Sequence, residues 1–233
     1  MNWPLEHVDP SEVDLSREQI NLMDQRMKRF VDEGHVAGVL SLVARRGKIA
    51  HVSCHGYLDV EQGRSLQTDS LFRMYSNTKI VCAVGVLILY EQGLVQLNDP
   101  VEKYIPSFAH VFLENAGERV KSKRAITIHD LLVHIGGLSY SFVHQARNEG
   151  WTHDEFIDKF IQAPLLSEPG VQWNYGASND VLGILIEKVT GMSIPDYFSA
   201  HIFEPLGMND TMWFVDEDNA SRFGPVYRPD DKG

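Results

Sequence analysis

The stretch that decides the reading is Leu71-Phe72-Arg73-Met74-Tyr75-Ser76-Asn77-Thr78-Lys79, followed by Ile80-Val81-Cys82-Ala83-Val84-Gly85-Val86-Leu87-Ile88-Leu89. From Thr78 to Gln92 the chain is apolar almost all round, and Gly93 closes it. A helix without a polar face is a buried helix. Ser76 stands three residues before Lys79, so the two side chains share one face of that helix. Serine is a weak nucleophile and needs a neighbouring base. A lysine ammonium held among apolar side chains is disfavoured in its charged form, and a neutral amine beside a hydroxyl can take its proton. The helix N-terminus adds N–H groups and partial positive charge where an oxyanion would form. The competing reading is a serine that merely caps the helix, with its lysine in solvent. The apolar helix around Lys79 weighs against it.

Upstream, Ser16-Arg17-Glu18-Gln19 has the form of a capping box. Ile20, Met23, Met27, Phe30 and Val31 then recur at helical spacing up to Gly34. Val39 to Ala44 and Lys48 to Gly56 are short apolar runs around the turn Arg46-Gly47, which predicts a β-hairpin. Downstream, Thr127…Asp130, Thr152…Glu155 and Ser193…Asp196 are capping signatures. They open predicted helices near 128–134, 153–162 and 194–202. A further helix is predicted over 179–190, closed by Gly191. No strand is predicted between about 93 and 207. Met212 to Val215 reads as a short strand and Arg228 to Gly233 as a loop. The pattern is α+β: residues 1–92 form the first part of a sheet-and-helix domain that includes the Ser76 helix. Residues 93–207 form an all-helical domain, and 208–233 begin a return to the first.

The composition is that of a globular protein: 233 residues, 43% hydrophobic and 23% charged. It excludes disordered, collagen-like and disulfide-scaffold classes. A chain of this length buries roughly 70% of its unfolded surface. Acidic residues outnumber basic ones by 32 to 21, a net charge of −11. Such a surface repels phosphate backbones and anionic lipid, so neither nucleic acid nor a membrane is an expected partner. Cys54 and Cys82 lie in no C-x-x-C pair or zinc-finger spacing and read as reduced core thiols. The N-terminus lacks a basic region followed by an apolar run, and Ile80 to Leu89 is too short to span a bilayer. A cytoplasmic protein is the expectation.

The segment Leu71 to Lys79 closely resembles the nucleophile segment of the serine β-lactamase-like superfamily, which includes class C β-lactamases, DD-peptidases and family VIII esterases and acyltransferases. The likeness continues through Leu97-Asn98-Asp99-Pro100-Val101, Tyr104-Ile105-Pro106 and Ile126 to His134. It resumes at Glu168-Pro169-Gly170, Asp180-Val181-Leu182-Gly183 and Glu204-Pro205-Leu206-Gly207-Met208. The resemblance implies an antiparallel sheet flanked by helices, with an all-helical domain. The family's second motif, Tyr-x-Asn or Tyr-Ser-x, falls here on Tyr175-Gly176-Ala177. Ala177 in place of Asn favours the esterase branch over a dedicated β-lactamase. A phenol near an ammonium ionises more easily, so Tyr175 can take the serine proton and return it to a leaving alcohol.

By this resemblance the protein is a serine carboxylesterase working through an acyl-enzyme on Ser76, with Lys79 and Tyr175 as proton-transfer partners. It needs no metal or cofactor, and its substrate is a small ester. A β-lactamase, a DD-peptidase, an acyltransferase or an inactive binding scaffold are the alternatives. His134 stands where the family often has His-Thr-Ser-Gly and reads as structural. Trp151, Tyr140 and Phe142 read either as acyl-pocket walls or as core aromatics. Several other motifs fail. Ser178-Asn179-Asp180 has the letters of S-D-N in the wrong order, and Lys188-Val189-Thr190-Gly191 matches K-T-G only with an insertion. No G-x-S-x-G, H-E-x-x-H or G-x-G-x-x-G occurs. The family's third motif, K-T-G, W-x-G or H-x-G, lies on a later strand that supplies a second oxyanion-hole donor, and nothing after Gly207 matches it. The closing C-terminal strands are therefore expected from a continuation of the chain or from a second chain, rather than lost in a degenerate form. An open apolar sheet edge is prone to aggregation.

Overall fold

The computed structural model describes residues 5–228. The chain divides into two compact units, Met1–Arg73 with Asp210–Gly233, and Met74–Asn209. In the first unit, helix α1 (Arg17–Asp32) is capped by Ser16, whose hydroxyl accepts from Gln19 N. Strands β1 (Gly38–Arg45) and β2 (Lys48–Asp59) form the expected antiparallel hairpin, and β3 (Arg64–Ser65) extends the sheet in the order β1-β2-β3. The register runs from Gly38 opposite Gly56 to Arg45 opposite Lys48, with a shift at Val43/Ala44. Asp24 of α1 reaches β2, where its Oδ1 lies 2.9 Å from His55 Nε2 and 3.3 Å from His51 Nε2. Residues 212–215 form no strand. The predicted strand is replaced by irregular chain with a bend at Trp213-Phe214, and Phe214 is 81% exposed. Of the predicted terminal loop, 229–233 lies outside the described residues.

The second unit holds the main apolar core. Helix α2 (Thr78–Glu91) buries Cys82, Gly85, Val86 and Leu89 against α6 (Ser178–Thr190) and α7 (Ile194–Phe198). Gly85 sits where side chains of both α6 and α7 pack directly on the α2 backbone. A Cβ there would lie 2.9 Å from Phe198 Cε1 and 3.3 Å from Ile186 Cδ1, and Gly85 O accepts from Tyr197 OH at 3.0 Å. The reading from sequence grouped α2 with the hairpin, but its helix partners are those of the helical unit. It also expected burial all round. Instead, the opposite stripe of Ile80, Val84 and Leu87 is exposed, because α6 and α7 cover one face only.

Between α2 and α6 the chain forms strands β4 (Phe112–Asn115) and β5 (Glu118–Lys121), then α3 (Ile128–Leu132), α4 (Ser141–Glu149) and α5 (His153–Phe160). The β4-β5 hairpin corrects the expectation of no strand in 93–207. It escapes sequence reading because β5 is wholly exposed and three of its four residues are charged. The capping boxes at Thr127/Asp130 and Thr152/Glu155 are both present with reciprocal hydrogen bonds. Asp130 is 2% exposed and also takes the Arg124 guanidinium at 2.6 and 2.9 Å. Helix α7 continues as a π-helical turn, Ser199–Phe203. No described helix is long and apolar enough to cross a membrane.

Candidate active site

Tyr75–Asn77 form a 3-10 turn that runs directly into α2. Tyr75 has φ +43, a region costly for a bulky side chain and frequent at functional sites. Neither the turn nor α2 has a side-chain cap, so Ser76 is not the capping serine of the competing reading. Its Oγ accepts from Tyr175 OH at 2.9 Å and from Lys79 Nζ at 3.4 Å. Lys79 Nζ also lies 4.9 Å from the centroid of the Tyr175 ring. The three residues singled out in the sequence therefore meet at one hydroxyl. Lys79 is only half-buried, not enclosed as expected, because the neighbouring Ile80 stripe is open.

Tyr175 is delivered by main-chain contacts. Asn174 N donates to His134 O at 2.8 Å, and Ala177 N donates to Ser139 O at 3.2 Å. These bonds pin the chain on both sides of the tyrosine. Gly176 packs so closely that a Cβ would collide with the Leu138 carbonyl oxygen, so the residue after Tyr175 can carry no side chain. Helix α6 begins immediately afterwards and fixes the segment's exit.

The charges follow the geometry. The Lys79 ammonium first, and then the Ser76 hydroxyl, hold the Tyr175 phenol below its ordinary value of 10.0, against opposing contributions from burial and Asp180. Burial first, and the Lys79 charge second, lower the His134 imidazole from its ordinary 6.5. Burial pushes the Cys82 thiol up to about 12, so this neighbour of Lys79 is an inert core thiol. Among the described residues, Cys54 and Cys82 are both free, and no group of three or more His, Cys, Asp or Glu could hold a metal ion.

Aromatic rings surround the phenol. His134 stacks on Tyr175 with centroids 5.0 Å apart, and Tyr140 stacks on it at 5.9 Å. Trp173 lies 6.1 Å from Tyr175 and 6.2 Å from His134, and is 61% exposed. Tyr140 thus both packs on the core and touches the site. Trp151 packs on the core and donates from Nε1 to Glu149 at 2.8 Å. The side chain of Phe142 lies outside what is described. The reading from sequence missed Trp173, although it stands only two residues before Tyr175. A groove of about 450 Å³ along α2, lined by Val84, Leu87, Ile88, Tyr90 and Glu91, includes none of the Ser76, Lys79 and Tyr175 cluster.

A sequence model of the Beta-lactamase family matches residues 23–233, and the chain belongs to that family. The family contains serine hydrolases and acyltransferases on one fold. The chain is 31% identical over 201 residues to esterase EstB of Burkholderia gladioli, covering 81% of this chain and 50% of EstB. It is 30% identical over 225 residues to the acyltransferase mokF of Monascus pilosus, covering 88% of this chain and 54% of that protein. The solved structure of unliganded simvastatin synthase (LovD) from Aspergillus terreus superposes with a TM-score of 0.74 at 27% identity, covering 90% of this chain and 58% of that one. The chain spans about half the length of the curated relatives it matches.

Proposed function

We propose that the protein is a serine carboxylesterase whose nucleophile is Ser76. The observation that carries this reading is the convergence of Tyr175 OH and Lys79 Nζ on Ser76 Oγ. The Ser76 proton passes to an ionised Tyr175 as Oγ bonds to the ester carbonyl carbon. Lys79 stabilises the phenolate and the Ser76 N–H meets the developing oxyanion. When the carbonyl re-forms, the alkoxide leaves with the proton held on Tyr175. Water then attacks the acyl-enzyme, giving its proton to Tyr175 and releasing the carboxylic acid as Ser76 Oγ is reprotonated. No metal or redox cofactor enters this sequence.

The test is hydrolysis of short p-nitrophenyl esters by the full-length protein and its Ser76→Ala variant. A loss of turnover to background is expected, and equal rates would overturn the assignment. Lys79→Ala should lower kcat by about 10²–10⁴-fold, the usual worth of a proton-transfer partner. Lys79→Arg distinguishes a base from a fixed charge, because guanidinium stays protonated. In the wild type, kcat/KM should rise with pH with a midpoint below the ordinary phenol value of about 10. That limb should vanish in Tyr175→Phe.

The acyltransferase relatives support a second reading, in which an alcohol replaces water in the second step. An added alcohol acceptor that yields new ester faster than acid would establish it.

A further inference from the structure

We propose that His134 is a positioning residue for Tyr175, holding the phenol against Ser76 through its ring face rather than by moving a proton. The inference rests on the Ser76 acyl-enzyme reading and adds a residue that the Ser-Lys-Tyr chemistry does not require. Tyr175 is 44% exposed, and with only Tyr140 stacked 5.9 Å away on it and one hydroxyl contact to Ser76 its ring would keep freedom to swing. His134 makes the nearer of the two stacks, 5.0 Å between centroids at 30°, and together with Tyr140 removes that freedom. Trp173 touches both rings.

The hydrogen bonds of His134 point the same way. Its Nε2 lies 3.4 Å from Asn179 Nδ2, and its Nδ1 is buried with no partner among the described residues. No described hydrogen bond joins either nitrogen to Ser76, Lys79 or Tyr175. The ring is therefore poorly placed for acid–base work, and an unpaired buried nitrogen is a poor reason to keep a histidine in a core. The ring face remains as its contribution. The backbone adds to it. His134 has φ +59, a region that His and Asn tolerate better than most residues, and its carbonyl oxygen holds Asn174 N, next to Tyr175. One residue thus grips the tyrosine segment by main chain and by ring. Burial and the Lys79 charge favour the neutral imidazole, which keeps a second cation away from Lys79.

The experiment uses the full-length protein and two substitutions. His134→Asn tolerates the left-handed backbone but removes the ring. His134→Phe keeps a flat ring and removes both nitrogens. A misplaced reacting group can cost about 10²-fold, so kcat should fall by about 10–10²-fold in His134→Asn with KM unchanged, and His134→Phe should recover most of the loss. Full activity in His134→Asn would overturn the proposal, and so would a His134→Phe that unfolds at the wild-type urea midpoint yet is as poor as His134→Asn, because the nitrogens rather than the ring face would then be needed. An NMR measurement separates this outcome from failure of the esterase reading. The His134 ring C–H signals should be displaced by the Tyr175 ring current and shift in Tyr175→Leu, whether or not esters are hydrolysed. Signals that do not move would sink the stack even in an active esterase. This measurement also decides the matter if His134→Asn fails to fold.

Discussion

The two compact units are stabilised differently. Residues 74–209 share one continuous core, in which Val86, Leu131, Val181, Leu185 and Ile186 are wholly inaccessible. Among the described residues of the other unit, the buried apolar side chains are Val13, Ile20, Ile49, Ala50 and Leu66. That unit relies more on polar contacts: Asp24 with His51 and His55, Arg64 with Asp59, and Arg222 with Asp210 at 2.6 Å. Close packing transmits position and resists displacement in a way that separate ion pairs do not. Ser76, Lys79 and Tyr175 all belong to the packed unit. A constellation that depends on distances of about 3 Å is best carried by elements whose side chains are locked in place.

Substitutions can break this comparison, and their effects should fall in a definite order. Leu185→Ala, at the centre of the packed unit, should cost about 2–5 kcal/mol in urea unfolding, the transfer and cavity cost of a buried leucine. Asp130→Ala should cost about 2 kcal/mol, through a lost helix cap and a lost partner for Arg124, which is itself half-exposed and can rehydrate. Burial alone would raise the Asp130 carboxyl, but Arg124 and the Thr127 contacts bring it below 3.8. The folded value is thus depressed. The stability Asp130 adds is present above the unfolded value of about 3.9 and lost as pH falls through the folded one. The wild type should lose this increment on acidification, and Asp130→Ala should not. Gly85→Ala should cost about 1–3 kcal/mol, by overpacking against Phe198 and Ile186. Leu42→Ala in β1, 42% exposed, should stay within about 0.5 kcal/mol. If Leu42→Ala costs as much as Leu185→Ala, the contrast between the units is false. Amide exchange would sharpen it: α2 and α6 should exchange more slowly than β1.

What was legible in the sequence followed from local chemistry. The capping boxes at Thr127 and Thr152 involve residues three apart, and the structure forms both. The Ser76-x-x-Lys79 face follows from helical periodicity, and the hairpin from the short apolar runs 39–44 and 48–56 around Arg46-Gly47. The β4-β5 hairpin was hidden because its two-residue turn uses Ala116 at φ +51, where Asn or Gly is the usual signal. Helix α4 was hidden because Tyr140 gives it no side-chain cap. The open stripe on α2 could not be foreseen, because composition shows that a helix is apolar but not how many neighbours cover it. The place of Tyr175 in the site was reached only through family likeness. Its contact with Ser76 joins residues far apart in the chain, and no local rule predicts that.

The main-chain bonds between 134–139 and 166–177 bear on how this site tolerates change over generations. Leu166 N to Gly137 O, Gly170 N to Ile135 O, Asn174 N to His134 O and Ala177 N to Ser139 O are made by atoms common to every amino acid. Exposed side chains along the loop can therefore be exchanged without moving the tyrosine, provided the loop keeps its path, His134 keeps its ring, and Gly137 and Gly176 keep their bare α-carbons. Drift at Ile135 should be nearly silent, whereas inserting or deleting a single residue there should shift the bonding by one step and carry the phenol out of reach. For anyone remodelling this chain by random variation, the loop accepts changes of spelling outside His134, Gly137 and Gly176 but no change of length.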